Sequence, residues 1–241
     1  MRVLVVTAVA PEASAVVAGA GPGVEVLAGG VGPAAVAART AVALSRAGAT
    51  AAAGAPPYDL VVSAGIGGGF APRAPVGSLV VADVIVAADL GAGTPDGGWL
   101  PLGELGFGRD RYESPREVAR EVARLTGGLL APVLTVSSVT GSAARAAELS
   151  GRHPGAGAEA MEGFGVAEAA AVFGLPVLEV RAVSNAVGPR DRGAWRIKDA
   201  LAALEEGFRR LRPLFDGPAP ALLSPAPGPL AQDGLSPAEE S

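Results

Sequence analysis

The sequence predicts an α/β fold with a largely parallel or mixed sheet. Short β-branched runs alternate along the chain with Ala-rich segments of helical length. The last long segment also keeps one apolar stripe, with Ile197, Leu201, Leu204, Phe208 and Leu211 recurring at steps of four and three. With 241 residues, 49% of them hydrophobic and 18% charged, the chain is long enough to bury one domain-sized core.

Taken in order, the expected strands are Arg2–Thr7, Val24–Ala28, Asp59–Ala64, Ser78–Ala87, Pro132–Ser137 and Val177–Ser184, with a weaker one at Glu159–Met161. The first apolar run is too short for a secretion signal, and Pro11 and Glu12 stand where a following helix should begin. Expected helices are Glu12–Ala18, Pro33–Arg46, Pro115–Leu125, Ser142–Leu149, Gly163–Phe173 and Ala194–Leu211, the last packing its stripe on the sheet. The longest uncharged stretch, Leu125 to Ala144, is broken by glycines, Pro132 and a Ser/Thr cluster, so no membrane span is expected and a cytoplasmic location is. From Pro213 onward, seven prolines in 29 residues and the loss of any period mark a Pro/Ala-rich tail expected to be disordered. The expected division is therefore a catalytic domain over 1–212 and a tail over 213–241.

Composition narrows the chemistry. A net charge of −5 and a pI near 5.0 leave no basic face for a phosphate backbone, so nucleic acid is not an expected partner. The absence of cysteine excludes disulfides, thiolate catalysis and Cys-based zinc sites, and the single His153 cannot alone build a metal cluster or a Ser-His-Asp triad. No metal or cofactor is expected; the chemistry must run on carboxylates and amides.

The segment "AGIGGGF" after the third strand invites a dinucleotide-binding reading and fails it. Gly65 and Gly67 fit the first two positions of G-x-G-x-x-G, but the third falls on Phe70 and the chain leads on to another strand. What these glycines offer is close approach of backbone to a ligand. Three polar residues stand at strand ends, where ligands bind in open α/β sheets: Glu12, Glu162 and Asn185. Glu162 lies in the almost uncharged "AMEGFGVAEAAAVF", where an acid does not face bulk water by chance.

These residues occur in company. "VVTAVAPEAS", "VLAGGVGPAAVAARTAVAL", "DLVVSAGIGGGFAPRAPVGSLVVAD" and "EAMEGFGVAEAAAVFGLPVLEVRAVSN" follow one another between Met1 and Leu211. They contain the Gly32-Pro33 helix start, a Gly68-to-Gly77 loop, the Met161-Glu162 pair and Arg181 to Asn185. In this combination the chain resembles the nucleoside phosphorylase and nucleosidase superfamily, within it the methylthioadenosine/adenosylhomocysteine nucleosidase branch, and in that branch the futalosine hydrolase family. The resemblance implies a single-domain three-layer α/β/α sandwich with a central mixed sheet, a small-molecule purine nucleoside substrate, and a homo-oligomer, most simply a dimer. It implies that Glu12 holds and deprotonates the attacking water, that Glu162 binds the ribose 2′- and 3′-hydroxyls, and that Met161 lines the sugar. Ser184 and Asn185 would lie near the N7 edge of the purine, and Gly67, Gly68 and Arg181 would complete the substrate site.

The implied roles suit the chemistry. Cleaving an N-glycosidic bond develops positive charge on the ribose and negative charge on the leaving base, so a carboxylate belongs at the sugar and a donor at the base. Adenine-specific relatives carry Asp where this chain has Asn185. A 6-oxopurine presents acceptors at O6 and N7, which an ionised carboxylate repels and a carboxamide NH₂ meets, so Asn185 points to hypoxanthine as leaving base. The implied reaction is hydrolysis of futalosine in menaquinone biosynthesis. The rival readings are a purine nucleoside phosphorylase and an adenine-type nucleosidase. Phosphorylases of the superfamily need an Arg in the loop after the first strand, where this chain reads "TAVAPEAS" with Glu12 instead. A non-catalytic nucleoside sensor would have no use for Glu12. Arg190 and Arg192 are candidates for the substrate's remote carboxylate.

Overall fold

The computed structural model describes residues 1–50 and 58–219. Within them the chain runs β1 (Val3–Thr7), α1 (Ala10–Gly19), β2 (Val24–Ala28), α2 (Pro33–Thr50), β3 (Leu60–Gly69) and β4 (Leu79–Ala87). It continues through β5 (Gly91–Gly93), β6 (Trp99–Pro101), β7 (Arg111–Glu113), α3 (Arg116–Thr126), β8 (Leu129–Thr135) and α4 (Ala143–Arg152). β9 (Ala158–Ala160), α5 (Gly163–Val172), β10 (Val177–Ala186), a 3-10 turn (Arg192–Ala194) and α6 (Ile197–Phe215) complete it. The main sheet has eight strands in the order β10-β4-β8-β9-β3-β1-β2, with β7 against β4, and β10 also pairs with β3. Parallel and antiparallel ladders are mixed in it. The expected single-domain three-layer sandwich is what the chain forms.

The layers follow from alternation along the strands. On β1, Val3 and Val5 face α1, α3 and α6 with Val16, Val122, Leu204 and Phe208, while Leu4 and Val6 face α2 and α5 with Val36, Leu44 and Phe164. Covering both faces is why β1 reads as an unbroken apolar run. α5 is buried nearly all round, from Gly163 to Ala167 and again over Ala169 to Ala171.

β3 is the strand that positions everything else. It runs through Gly69 rather than stopping at Ala64, because β10 pairs with it from Val61 to Gly69, with a register shift after Val183 that sets Val183 opposite Gly67 and Asn185 opposite Gly68. On its other side β3 changes partner: β1 pairs with it as far as Ser63, and β9 takes over at Gly68 and Gly69. Between those ladders one edge of β3 is open. The three short strands β5 to β7 were not foreseen, since three residues apiece among Gly and Pro carry no readable period. No described helix is long and apolar enough to cross a membrane.

α6 departs from expectation at both ends. It starts at Ile197, which is exposed and off the core stripe, and it continues through Pro213 to Phe215. Proline costs the helix one hydrogen bond. Packing overrides that cost: Phe215 is 1% exposed and its ring centroid lies 6.2 Å from that of Phe208. The N-terminal ammonium of Met1 donates to the carbonyls of Phe215 and Gly217. Packed structure therefore passes the expected boundary at residue 212, while the remainder of the expected tail, 220–241, lies outside the described residues. Phe215→Ala should lower the unfolding free energy by about 3 kcal/mol, read as a shift in urea midpoint at unchanged slope, and truncation after Arg212 should cost at least as much. An unchanged midpoint in either would mean that Phe215 contributes nothing to the core.

Candidate active site

A cavity of about 350 Å³ opens at the carboxyl ends of β1, β3 and β10 and beside β9. Glu12, Gly67, Gly68, Met161, Glu162, Ser184 and Asn185 all line it, so seven of the eight residues singled out from the sequence meet at one place. A second cavity of about 330 Å³, under Trp99 and Arg152, contains none of them.

Glu12 enters from the first turn of α1 and is 4% exposed. Its Oε2 accepts the backbone N–H groups of Ala8 (3.0 Å) and Val9 (3.2 Å), and its Oε1 accepts that of Ile66 (2.8 Å). Ile66 lies on the open edge of β3, so the carboxylate satisfies an amide that no neighbouring strand can reach. A carboxylate held by three backbone donors has a fixed orientation, which proton abstraction from a positioned water requires.

Glu162 precedes α5 and is also 4% exposed. Its Oε1 accepts from Gly32 N (3.2 Å), and its Oε2 lies 3.3 Å from Met161 N and 3.2 Å from Arg181 Nη1. Gly32 has φ of +89°, a left-handed conformation that turns its N–H toward Glu162 at the start of α2 and that favours glycine.

Arg181 is not where the sequence reading put it. The expected substrate contact is corrected: its side chain is 0% exposed and it lies behind the cavity, absent from the lining. From there Nε donates to Glu179 Oε1 (2.8 Å), Nη2 donates to Ser63 Oγ (2.8 Å), and Nη1 is ion-paired with Glu162. The resemblance implied a ligand contact, but Arg181 points into the α2 and α5 side of the sheet. Burial alone would disfavour its charge, and the carboxylates of Glu179, Glu162 and Glu12 more than restore it, holding its pKa above the ordinary value. Burial in turn pushes the Glu179 carboxyl up, against the pull of Arg181.

Asn185 is half-buried near the end of β10. The Ser184 hydroxyl lies 2.8 Å from Asn185 Oδ1 and 3.2 Å from the Gly67 carbonyl. With Oδ1 engaged as an acceptor, the carboxamide has its NH₂ to offer, and Nδ2 now donates to the Ala186 carbonyl (3.1 Å).

Several cavity residues were not foreseen in this role, four of them notable for their chemistry or bulk. Glu159 and Thr140 face it as a pair, Val139 stands beside them, and Trp195 brings an aromatic ring. Thr140 N donates to Glu159 Oε1 (2.8 Å) and the Thr140 hydroxyl donates to Oε2. Burial pushes the Glu159 carboxyl above the usual range, while both Thr140 bonds act in the opposite sense. The signal for Glu159 was the one that marked Glu162, an acid in an uncharged stretch; Thr140, Val139 and Trp195 carried none. Of the two loop arginines, Arg190 lines the cavity and Arg192, in the 3-10 turn, does not.

The chain is similar in sequence and in fold to proteins of known family. The phosphorylase superfamily matches residues 11–212. The chain is 57% identical over 233 residues to a futalosine hydrolase of Streptomyces coelicolor, covering 90% of this chain and 97% of the relative. It is 35% identical over 161 residues to the Thermus thermophilus futalosine hydrolase, covering 64% of this chain and 70% of the relative. Its fold is similar to the native structure of futalosine hydrolase from Helicobacter pylori, with a TM-score of 0.70 at 17% identity over 88% of this chain and 97% of that one. It is equally similar to the adenine complex of a methylthioadenosine/adenosylhomocysteine nucleosidase from Colwellia psychrerythraea, with a TM-score of 0.72 at 17% identity over 93% of this chain and 96% of that one. With family, sequence and fold in agreement, the chain belongs to the phosphorylase superfamily and, within it, to the futalosine hydrolases.

Proposed function

We propose that this protein hydrolyses the N-glycosidic bond of futalosine, releasing hypoxanthine and dehypoxanthinyl futalosine, as a step of menaquinone biosynthesis. The observation that carries the reading is the cavity that joins Glu12, Glu162 and a Ser184-held Asn185. Glu12 positions a water and takes its proton as oxygen attacks the anomeric carbon. Glu162 accepts from the ribose hydroxyls and stabilises the positive charge that grows on the sugar, with Met161 against the ring. Asn185 donates to the O6 and N7 edge, where negative charge collects as the base departs. Gly67 and Gly68 leave the floor bare for a flat ring.

Phosphorolysis fits less well, because Glu12 occupies the place a phosphate would need and no described arginine stands in the loop after β1. The exposed Val9, Val31 and Val139 on the cavity wall support a homodimer that shields this mouth, and we include it in the proposal together with a cytoplasmic location.

Incubation with futalosine and with inosine, each with and without phosphate, tests the function. Hypoxanthine should appear from futalosine at a rate independent of phosphate; strict phosphate dependence would make the protein a phosphorylase. Glu12→Gln should lower kcat on the order of 10²-fold with substrate binding largely retained, and turnover within a few-fold of wild type would remove Glu12 from the mechanism. Asn185→Asp sets a carboxylate against O6 and N7 and should reduce kcat/KM for futalosine on the order of 10²-fold, while aminofutalosine loses less. An unchanged ratio of the two specificity constants would show that Asn185 does not read the base.

A further inference from the structure

Glu159, Gly68 and Asn185 stand in one row across three neighbouring strands. β9 pairs Glu159 with Gly68, and β10 pairs Asn185 with the same Gly68. Residues opposite one another on adjacent strands share a face of the sheet, so the carboxylate and the carboxamide rise on the same side with only a glycine between them. At the usual strand spacing of about 4.8 Å, their backbones stand roughly 10 Å apart, enough for a purine ring system with a hydrogen bond at each end. A Cβ on Gly68 would come to 3.4 Å from Asn185 Nδ2, so the bare strand keeps that floor open.

Glu159 is 5% exposed, lines the cavity, and has no ion-pair partner among the described residues. Thr140 supplies one donor to each carboxylate oxygen, and each oxygen can accept a second. Burial disfavours the charged form of this carboxyl group, and a further donor from a ligand would favour it. The water and the ribose already have Glu12 and Glu162, so Glu159 is free for the base.

We infer that Glu159 accepts a hydrogen bond from N1–H of the 6-oxopurine base and sets the preference for that base over a 6-aminopurine. This deepens the futalosine reading and rests on it. In a 6-oxopurine, N7 and O6 are acceptors and N1 carries a hydrogen; in a 6-aminopurine, N1 is a bare lone pair. Asn185 and Glu159 thus offer a donor and an acceptor in the order the 6-oxopurine edge requires. The 6-aminopurine would set its N1 lone pair against the Glu159 carboxylate and leave both unpaired, the kind of mismatch that a buried site rejects strongly.

The test combines variants with altered bases. For wild type, Glu159→Gln and Glu159→Ala, kcat/KM is measured on futalosine and on aminofutalosine, with thermal unfolding to confirm the fold. Binding of hypoxanthine, 1-methylhypoxanthine and adenine to the wild-type protein is measured by calorimetry. Glu159→Ala should lower kcat/KM for futalosine at least about 10-fold and shrink its advantage over aminofutalosine by a similar factor. Wild type should bind hypoxanthine and lose at least about 10-fold toward 1-methylhypoxanthine, which has no N1–H. If a variant fails to fold, this base comparison decides alone. Wild-type cleavage of futalosine with an unchanged ratio in the folded variants, or equal binding of the methylated base, overturns the role of Glu159 and leaves the function standing. A wild type that releases no hypoxanthine from futalosine overturns both.

Discussion

The buried guanidinium of Arg181 is the constraint around which the site is built. A charge with no exposed surface must be met by opposite charge and hydrogen-bond acceptors, and Glu179, Glu162 and Ser63 meet it directly, with Glu12 nearby. Two of these carboxylates also face the cavity. Arg181 therefore acts from behind, as the positive charge that Glu179, Glu162 and Glu12 share. Accommodating it demands space. A Cβ on Gly65 would lie 2.6 Å from Glu12 Oε1 and 2.7 Å from Arg181 Nη1, and one on Gly163 would lie 2.1 Å from Glu179 Oε2. Gly65 of "SAGIGGG" and Gly163 of "MEGFG" are in this sense part of the charge cluster.

The same economy explains where the cavity lies. β3 loses β1 after Ser63 and gains β9 only at Gly68, so the residues between them have an unpaired edge. Such an edge exposes amides that secondary structure cannot satisfy, and Glu12 caps one of them at Ile66. The site occupies a break in the ladder, at strand ends where an α/β sheet is open to ligands.

Much of this was legible in the sequence because the signals were local. Long apolar runs bounded by turns gave the six long strands, and the family spacing of Glu12, Met161-Glu162 and Ser184-Asn185 brought their side chains to one cavity. What escaped depends on contacts distant in the chain. β3 passes through its glycines because β10 holds it there, and α6 passes Pro213 because Phe215 finds Phe208 and Met1 finds its carbonyls. Neither partner is visible within a local window. Arg181 was misassigned for a related reason: alternation along β10 turns it to the opposite side from Val180 and Ala182, and a polar residue near a strand end can serve either the ligand or the groups that hold the ligand's contacts. Glu159 carries the signal that marks Glu162, an acid in an uncharged stretch, but lies outside the Met161-Glu162 pair on which the resemblance rests.

Strand alternation also separates the two tasks the reaction sets. Gly65 and Gly68 are three apart on β3 and so turn to opposite faces: the first abuts Glu12 and Arg181, the second Asn185. Around the end of one strand, acids suited to the sugar and the water gather on one side, and groups suited to the base gather on the other. Under the proposed function, a nucleoside whose glycosidic bond crosses that strand end would place growing positive charge beside the Glu12 and Glu162 side chains and growing negative charge beside the Asn185 amide. Opposite charges develop in the same step only a bond length apart, so stabilising both requires fields of opposite sign within a few ångströms. A strand edge, with its alternating directions and its glycines, supplies that division within a few ångströms.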